Sequence, residues 1–115
     1  MSFRLRNNEP IWLGGFTALT EAGFSNGCSC RLHGTSSIVP DGFNLALHVG
    51  DEAELVNANR RQFAAALGVD AARFTTCAQV HGSKVVCVTE GLIGSGAVDF
   101  ADTIADTDAL ITDLP

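Results

Sequence analysis

The residues of this chain best suited to chemistry are those of Gln79-Val80-His81-Gly82. Imidazole is the side chain most often used for metal ligation and for proton transfer near neutral pH. Here it stands between two strand-like runs. Residues 75–78, Thr-Thr-Cys-Ala, favour β structure, and residues 84–89, Lys-Val-Val-Cys-Val-Thr, read as a largely buried strand bounded by Gly82 and Gly91. A histidine at the glycine break between strands is well placed to face a cleft. On residue type alone it is still a single imidazole, and a solvated or hydrogen-bonded histidine is the plainer reading. The same holds for the other two histidines, His33 and His48.

The remaining chemically competent residues form weaker patterns. Cys28-Ser29-Cys30 puts two thiols on one face if the segment is a strand, but the spacing is not the two-residue gap of zinc knuckles or thioredoxin-like motifs. Together with Cys77 and Cys87 these thiols are read as buried and structural, because free cysteine is among the most buried residue types. Asp99, Asp102, Asp106, Asp108 and Asp113 lack the alternating carboxylates and central glycine of a calcium loop, so a solvated loop leading into a strand is expected. The glycines of residues 91–96 have no strand–turn–helix context for a dinucleotide fingerprint, and no Walker-type phosphate loop occurs.

Of the elements that must position these residues, one is clear. Asp51-Glu52-Ala53-Glu54 reads as a capping box, with Asp51 as N-cap and Glu54 at the third helical position. The acidic residues there also suit the helix dipole. Val56, Asn59, Phe63 and Leu67 recur at helical spacing, three alanines favour helix and Gly68 ends it, which predicts a helix over 52–67. Asn59 shares a face with Val56 and Phe63, so Asn59 and Arg60 are expected to make helix-packing hydrogen bonds. Residues 43–50 alternate enough for a strand or a packed extended segment. Residues 11–19 and 23–32 are weaker strand candidates, broken by Gly14-Gly15 and Asn26-Gly27, and 108–112 looks like a final strand. Strands on both sides of one long helix predict an α+β fold with a mixed sheet rather than a βαβ repeat.

Composition bounds what such a fold can serve. At 115 residues the chain reads as a single domain, 1–115, able to bury roughly 65% of its unfolded surface. Its 46% hydrophobic and 17% charged residues are globular values. A net charge of −6 with seven scattered basic residues argues against bulk nucleic acid as a partner, though not against a small nucleoside. No apolar run approaches the ~20 residues that span a bilayer, and no apolar segment follows Met1-Ser2-Phe3-Arg4-Leu5-Arg6. No membrane association is expected, the cytoplasm is the default location, and the thiols are expected to be reduced there.

Five motifs in order carry a resemblance. They are Arg31-Leu-His-Gly34-Thr-Ser36, Gly42-Phe-Asn44-Leu-Ala-Leu-His48-Val-Gly50-Asp51, Asn59-Arg60-Arg61, Gln79-Val-His81-Gly82, and Ala105-Asp-Thr-Asp108-Ala-Leu-Ile-Thr112. Their order and spacing resemble the N-terminal half of the YfiH-like laccase-domain family, also called polyphenol oxidases, whose members are mostly described as purine nucleoside phosphorylases. The resemblance implies an α+β YfiH-like fold and a mononuclear zinc site of one cysteine and two histidines. His81 of the QVHG motif corresponds to the first of those histidines. The cysteine and second histidine belong to TADC-like and HAGWRG-like segments that this chain lacks, and none of its cysteines stands in an Ala-Asp-Cys context. The fold is therefore expected to be a truncated one, with the missing C-terminal half needed to complete the site.

The activity that the resemblance implies is phosphorolysis of adenosine or inosine to the base and ribose 1-phosphate, with adenosine deamination and methylthioadenosine phosphorolysis beside it. The expected partners are then a small-molecule nucleoside and phosphate. Arg31 is the expected phosphate contact and Asn44 a polar lining residue; their structural alternatives are an ion pair and a turn cap. Two other readings stand beside this one: a zinc hydrolase that edits peptidoglycan precursors, and an inactive fragment or partner-dependent module. Copper is less favoured than zinc, because multicopper oxidation needs several ions and more than three histidines.

Overall fold

A computed structural model describes residues 2–115 of the chain. It forms two compact units, the first running through Val69 and the second from Asp70 to Pro115. Among the described residues no helix is long and apolar enough to cross a membrane.

The first unit is a three-stranded antiparallel sheet with one long helix. Strands β1 (Phe3–Asn8) and β2 (Ile11–Phe16) form a hairpin closed at Glu9-Pro10, with Asn8 opposite Ile11 and Phe3 opposite Phe16. A short helix, α1 (Thr17–Glu21), follows directly, and the two-residue strand β3 (Cys28–Ser29) pairs with Leu13 and Gly14 of β2. Period-two alternation in β2 buries Ile11 and Leu13 while Trp12 stays exposed. With Phe43 these two residues make the core, against which Leu45, Phe63, Ala66 and Leu67 pack. The rings of Phe43 and Phe63 meet edge to face at 6.5 Å.

Helix α2 (Ala53–Leu67) closes this unit. Its buried face carries Val56, Asn59, Arg60 and Ala64, and Gly68 adopts φ 71° just past its end. Only glycine takes that left-handed backbone without a Cβ penalty, which is why the sequence stops the helix there. The start differs from the expected capping box. The N-cap is Glu52, no side chain caps the first turn, and Asp51 lies one residue outside the helix. The Asp51 carboxylate has been drawn away by Ser36, Ser37 and Asn44, which offer it more donors than a helix N-terminus would.

Three other expectations are corrected here. Residues 43–50 form no strand; the only ladder contact nearby is an isolated bridge between Leu32 and Gly42. Asn44 folds this segment into a turn instead, its side chain bonding both backbone groups of Ala46. The strand candidate over 11–19 ends at Phe16, where the chain turns into α1, and that over 23–32 survives only as β3. Strand β1 carried no signal in its pattern, because every residue of it is exposed.

The second unit contains a parallel pair, β4 (Val85–Cys87) with β5 (Ala109–Ile111), in the register Val85–Ala109, Val86–Leu110 and Cys87–Ile111. The antiparallel and parallel pairings of this α+β fold thus occupy separate sheets. Three 3-10 turns, Ala71–Arg73, Glu90–Leu92 and Phe100–Asp102, fill the connections. Residues 75–78 make only a single bridge, Cys77 to Ile104. The run 84–89 is not a buried strand: Val85 is 59% exposed, and its first buried residue is Val88, just past β4. A strand with one ladder neighbour covers little of its own faces, which alternation in the sequence does not reveal. The cysteines are corrected for the same reason. All four are free thiols; Cys28 and Cys87 are exposed, and Cys30 and Cys77 are half-buried.

Candidate functional site

In the second unit the turn carrying His81 is built around a carboxylate. Oδ1 of Asp108 accepts the Val80 N–H at 3.0 Å and Oδ2 accepts the Gly82 N–H at 2.9 Å. The Gln79 side chain adds a longer bond to the Asp108 carbonyl, 3.4 Å. His81 lies between the two captured amides with φ 59°, exposed at the apex. Asp108 is itself held at the mouth of β5, where Lys84 O accepts both the Asp108 and Ala109 N–H groups. Its neighbour Thr107 is fully buried and donates its N–H to Ala78 O. The acidic segment is therefore more than a solvated loop. Asp108 accepts two backbone N–H groups of the His81 turn, and Asp99 caps the 3-10 turn Phe100–Asp102 by accepting the Ala101 N–H at 2.9 Å.

In the first unit the motif residues converge on two polar side chains. Asn59 of α2 is fully buried. Its Oδ1 accepts from Thr35 N at 2.9 Å and Thr35 Oγ1 at 3.0 Å, while Nδ2 donates to Asn44 O at 3.0 Å. Beside it, Arg60 Nε donates to Leu45 O at 2.8 Å, and burial pulls the guanidinium below its ordinary pKa. The helix-packing role expected of Asn59 and Arg60 is what the geometry contains. The second hub is Asp51, which accepts from Ser36 Oγ at 2.8 Å, Ser37 N at 2.9 Å, Ser37 Oγ at 2.6 Å and Asn44 Nδ2 at 3.0 Å. The Ser37 and Asn44 side-chain donors, foremost among these contacts, hold its carboxyl far below the usual carboxylate range.

The three residues singled out in the sequence fall as follows. Arg31 is exposed, and its carbonyl accepts the Phe43 N–H at 2.7 Å, tying the Arg31 segment to the core. Asn44 is half-buried, and both hydrogens of its amide are committed, to Ala46 O and to Asp51. One Oδ1 lone pair remains beyond the bond from Ala46 N. Arg31 and Asn44 belong to the first unit and His81 to the second. His33 and His48 are both exposed, His33 with φ 72°. Two open clefts are found among the described residues of the first unit. One, of about 480 Å³, sits beside Asn8, Pro10 and Gln62, and the other, of about 290 Å³, beside Arg6, Phe24 and Asn26. Neither is lined by Arg31 or Asn44.

Metal binding can be tested against this donor set. A catalytic zinc takes three protein ligands and keeps one open position. Among the described residues no three His, Cys, Asp or Glu side chains are grouped to hold an ion. His81 is one exposed imidazole, and both oxygens of the adjacent Asp108 carboxylate are occupied by backbone N–H groups. The residues present do not by themselves fit a zinc or copper centre.

The part of Asp51 and Asp108 as acceptors that gather loop donors was missed by spacing and residue type. The available signal was their place inside two of the five ordered motifs, beside Asn44 and beside the final strand.

Comparison with known proteins bears on all of these residues. The family model described as "Multi-copper polyphenol oxidoreductase laccase" matches residues 25–115. The chain is 42% identical over 110 residues to a protein of Geobacillus stearothermophilus named "Purine nucleoside phosphorylase YlmD", covering 95% of this chain and 36% of that one. It is 40% identical over 85 residues to a protein named purine nucleoside phosphorylase from Mycobacterium tuberculosis, covering 74% of this chain and 31% of that one. The crystal structure of YfiH from Bacillus licheniformis superposes with a TM-score of 0.85 at 27% identity, over 96% of this chain and 40% of that one. That of YlmD from Geobacillus stearothermophilus superposes with a TM-score of 0.72 at 38% identity, over 76% of this chain and 33% of that one. The chain thus spans 36% and 31% of the length of the two named relatives.

Proposed function

The chain belongs to the multi-copper polyphenol oxidoreductase laccase family, and from that premise we propose that it serves a purine nucleoside phosphorylase. The single observation that carries this reading is the name shared by the relatives at 40–42% identity over 74–95% of the chain. In this reading a protein of full family length transfers the ribosyl group of adenosine or inosine to phosphate, releasing the base and ribose 1-phosphate.

The residues take unequal parts. Arg31 is an exposed cation on a segment tied to the core through its own carbonyl, which suits it to meet a phosphate dianion. Asn44 holds the turn at Ala46 and the Asp51 carboxylate rather than acting as a free donor, since its amide hydrogens are already given to those two groups. His81 is the working imidazole of the second unit. Zinc enters only as an ion for which His81 would supply one ligand, no group of three among the described residues being placed to complete it. The alternative of an incomplete, partner-dependent module is favoured for the isolated chain by the lack of a three-ligand group among its described residues.

The test is phosphate-dependent release of hypoxanthine from inosine by a protein of full family length carrying this sequence. Arg31→Ala is expected to raise KM for phosphate at least about tenfold, in line with the loss of a charge-assisted contact. Activity without phosphate, or an Arg31→Ala enzyme with unchanged phosphate KM, would count against the assignment. Turnover of inosine by the 115-residue chain alone would overturn the statement that it lacks part of the site.

A further inference from the structure

We propose that Asp108 is the positioning residue for His81: its carboxylate clamps the amides on either side and fixes the histidine in a left-handed turn that presents the imidazole. The inference rests on the reading of His81 as a working residue, and it adds the group that sets its geometry.

Four observations meet at this point. First, the two carboxylate oxygens are divided, Oδ1 to Val80 N at 3.0 Å and Oδ2 to Gly82 N at 2.9 Å. Amides at i and i+2 converging on one anion form the concave arrangement by which backbone binds negative charge, here satisfied internally. Second, His81 has φ 59°. A non-glycine residue occupies that region at a cost, so something outside the residue must hold it there. Third, Gly82 allows the approach: a Cβ at that position would lie 3.2 Å from Asp108 Oδ2. Fourth, Asp108 is anchored at both flanks of the turn by backbone bonds other than the two clamped amides, through its own N–H to Lys84 O at 3.0 Å and through buried Thr107 to Ala78 O at 3.1 Å. A clamp fixed at the mouth of the β4–β5 pair can impose a backbone state on a turn 26 residues away in sequence.

A carboxylate does this better than its neutral isostere. Aspartate accepts at both oxygens, whereas asparagine accepts at one and turns an N–H toward the other amide. Asp108→Asn therefore keeps the volume and loses one arm of the clamp.

The experiment is NMR on the full chain, comparing wild type with Asp108→Asn. The expected result has three parts. Hydrogen exchange at Val80 or Gly82 speeds up at least tenfold, the couplings that report positive φ at His81 average out, and the Ala78 and Val88 amides keep their protection. Unchanged exchange at Val80 and Gly82 together with a retained positive φ would overturn the proposal. Equal loss of protection at Ala78 and Val88 would overturn it as well, by making Asp108 a general support of the unit. If Asp108→Asn does not fold, Gly82→Ala supplies the second reading. It keeps the carboxylate and crowds Oδ2, so exchange at the amide of position 82 is expected to rise more than at Val80; equal or unchanged exchange at the two amides would overturn the clamp. These readouts do not depend on catalysis. Failure of a protein of full family length to cleave inosine, with the clamp signature present in this chain, refutes the phosphorylase reading and leaves the Asp108 assignment standing.

Discussion

Replacing Asn59 by alanine tests the packing logic of the first unit most directly. The side chain is fully buried and joins α2 to two loop segments. Truncation removes the acceptor for Thr35 N and the donor to Asn44 O, each bonded at 2.9–3.0 Å. Two further losses are softened: Thr35 Oγ1 can still donate to Leu55 O, and Gly42 O still accepts from Ser36 N. Two backbone groups are thus orphaned at about 1–3 kcal/mol each, and partial access of water near Thr35 and Asn44 brings the expected total to about 2–4 kcal/mol. For a small domain that is a large share of a total near 5–15 kcal/mol. In urea denaturation it corresponds to a midpoint lowered by about 1–2 M. Asn59→Asp sharpens the test. It preserves shape and the Thr35 acceptor but aims a second oxygen at the Asn44 carbonyl, so at pH 7 it should destabilise at least as much as alanine. Its stability should recover partly in acid, when the protonated carboxyl can donate to Asn44 O. An Asn59→Ala midpoint within about 0.3 M of wild type, or a fully stable Asn59→Asp, would refute the account of Asn59 as the tie between helix and loops.

Two other perturbations probe the same scaffold. Asp51 has a carboxyl held below its unfolded value of about 3.9, so its contribution is complete above that pH and lost as pH falls below it. Stability of wild type measured from pH 6 down to 2 should therefore drop more steeply than that of Asp51→Asn, and parallel curves would reject the Ser36–Ser37–Asn44 hub as a source of stability. Gly34→Ala would drive a Cβ into Gly42 O and to within 2.6 Å of Phe43 Cα, both backbone. A loss of about 1–3 kcal/mol is expected, and a variant melting with wild type would show that these segments yield freely.

How far the sequence spoke for itself varies by element. Helix α2 was legible because its signals are local: apolar residues at i, i+3 and i+4, and a glycine where the backbone must turn left-handed. The final strand and the packing role of Asn59 were legible for the same reason, each following from spacing within a few residues. The strand over 84–89 was overread, since a run of β-branched residues predicts extension but not how many neighbours cover it. The capping box failed because the motif counts only the helix's own amides, while Ser36, Ser37 and Asn44 compete for the same carboxylate from outside the motif.

By itself the sequence determined the one long helix, the α+β class and, through five ordered motifs, the family. The tertiary structure decided where the carboxylates go. Asp51 reaches back to residues 36, 37 and 44, and Asp108 to residues 80 and 82. Such pairings depend on which loops the closed chain brings within 3 Å. No periodicity encodes that distance, because it is set by the packing of β2 and Phe43 in one unit and the β4–β5 register in the other.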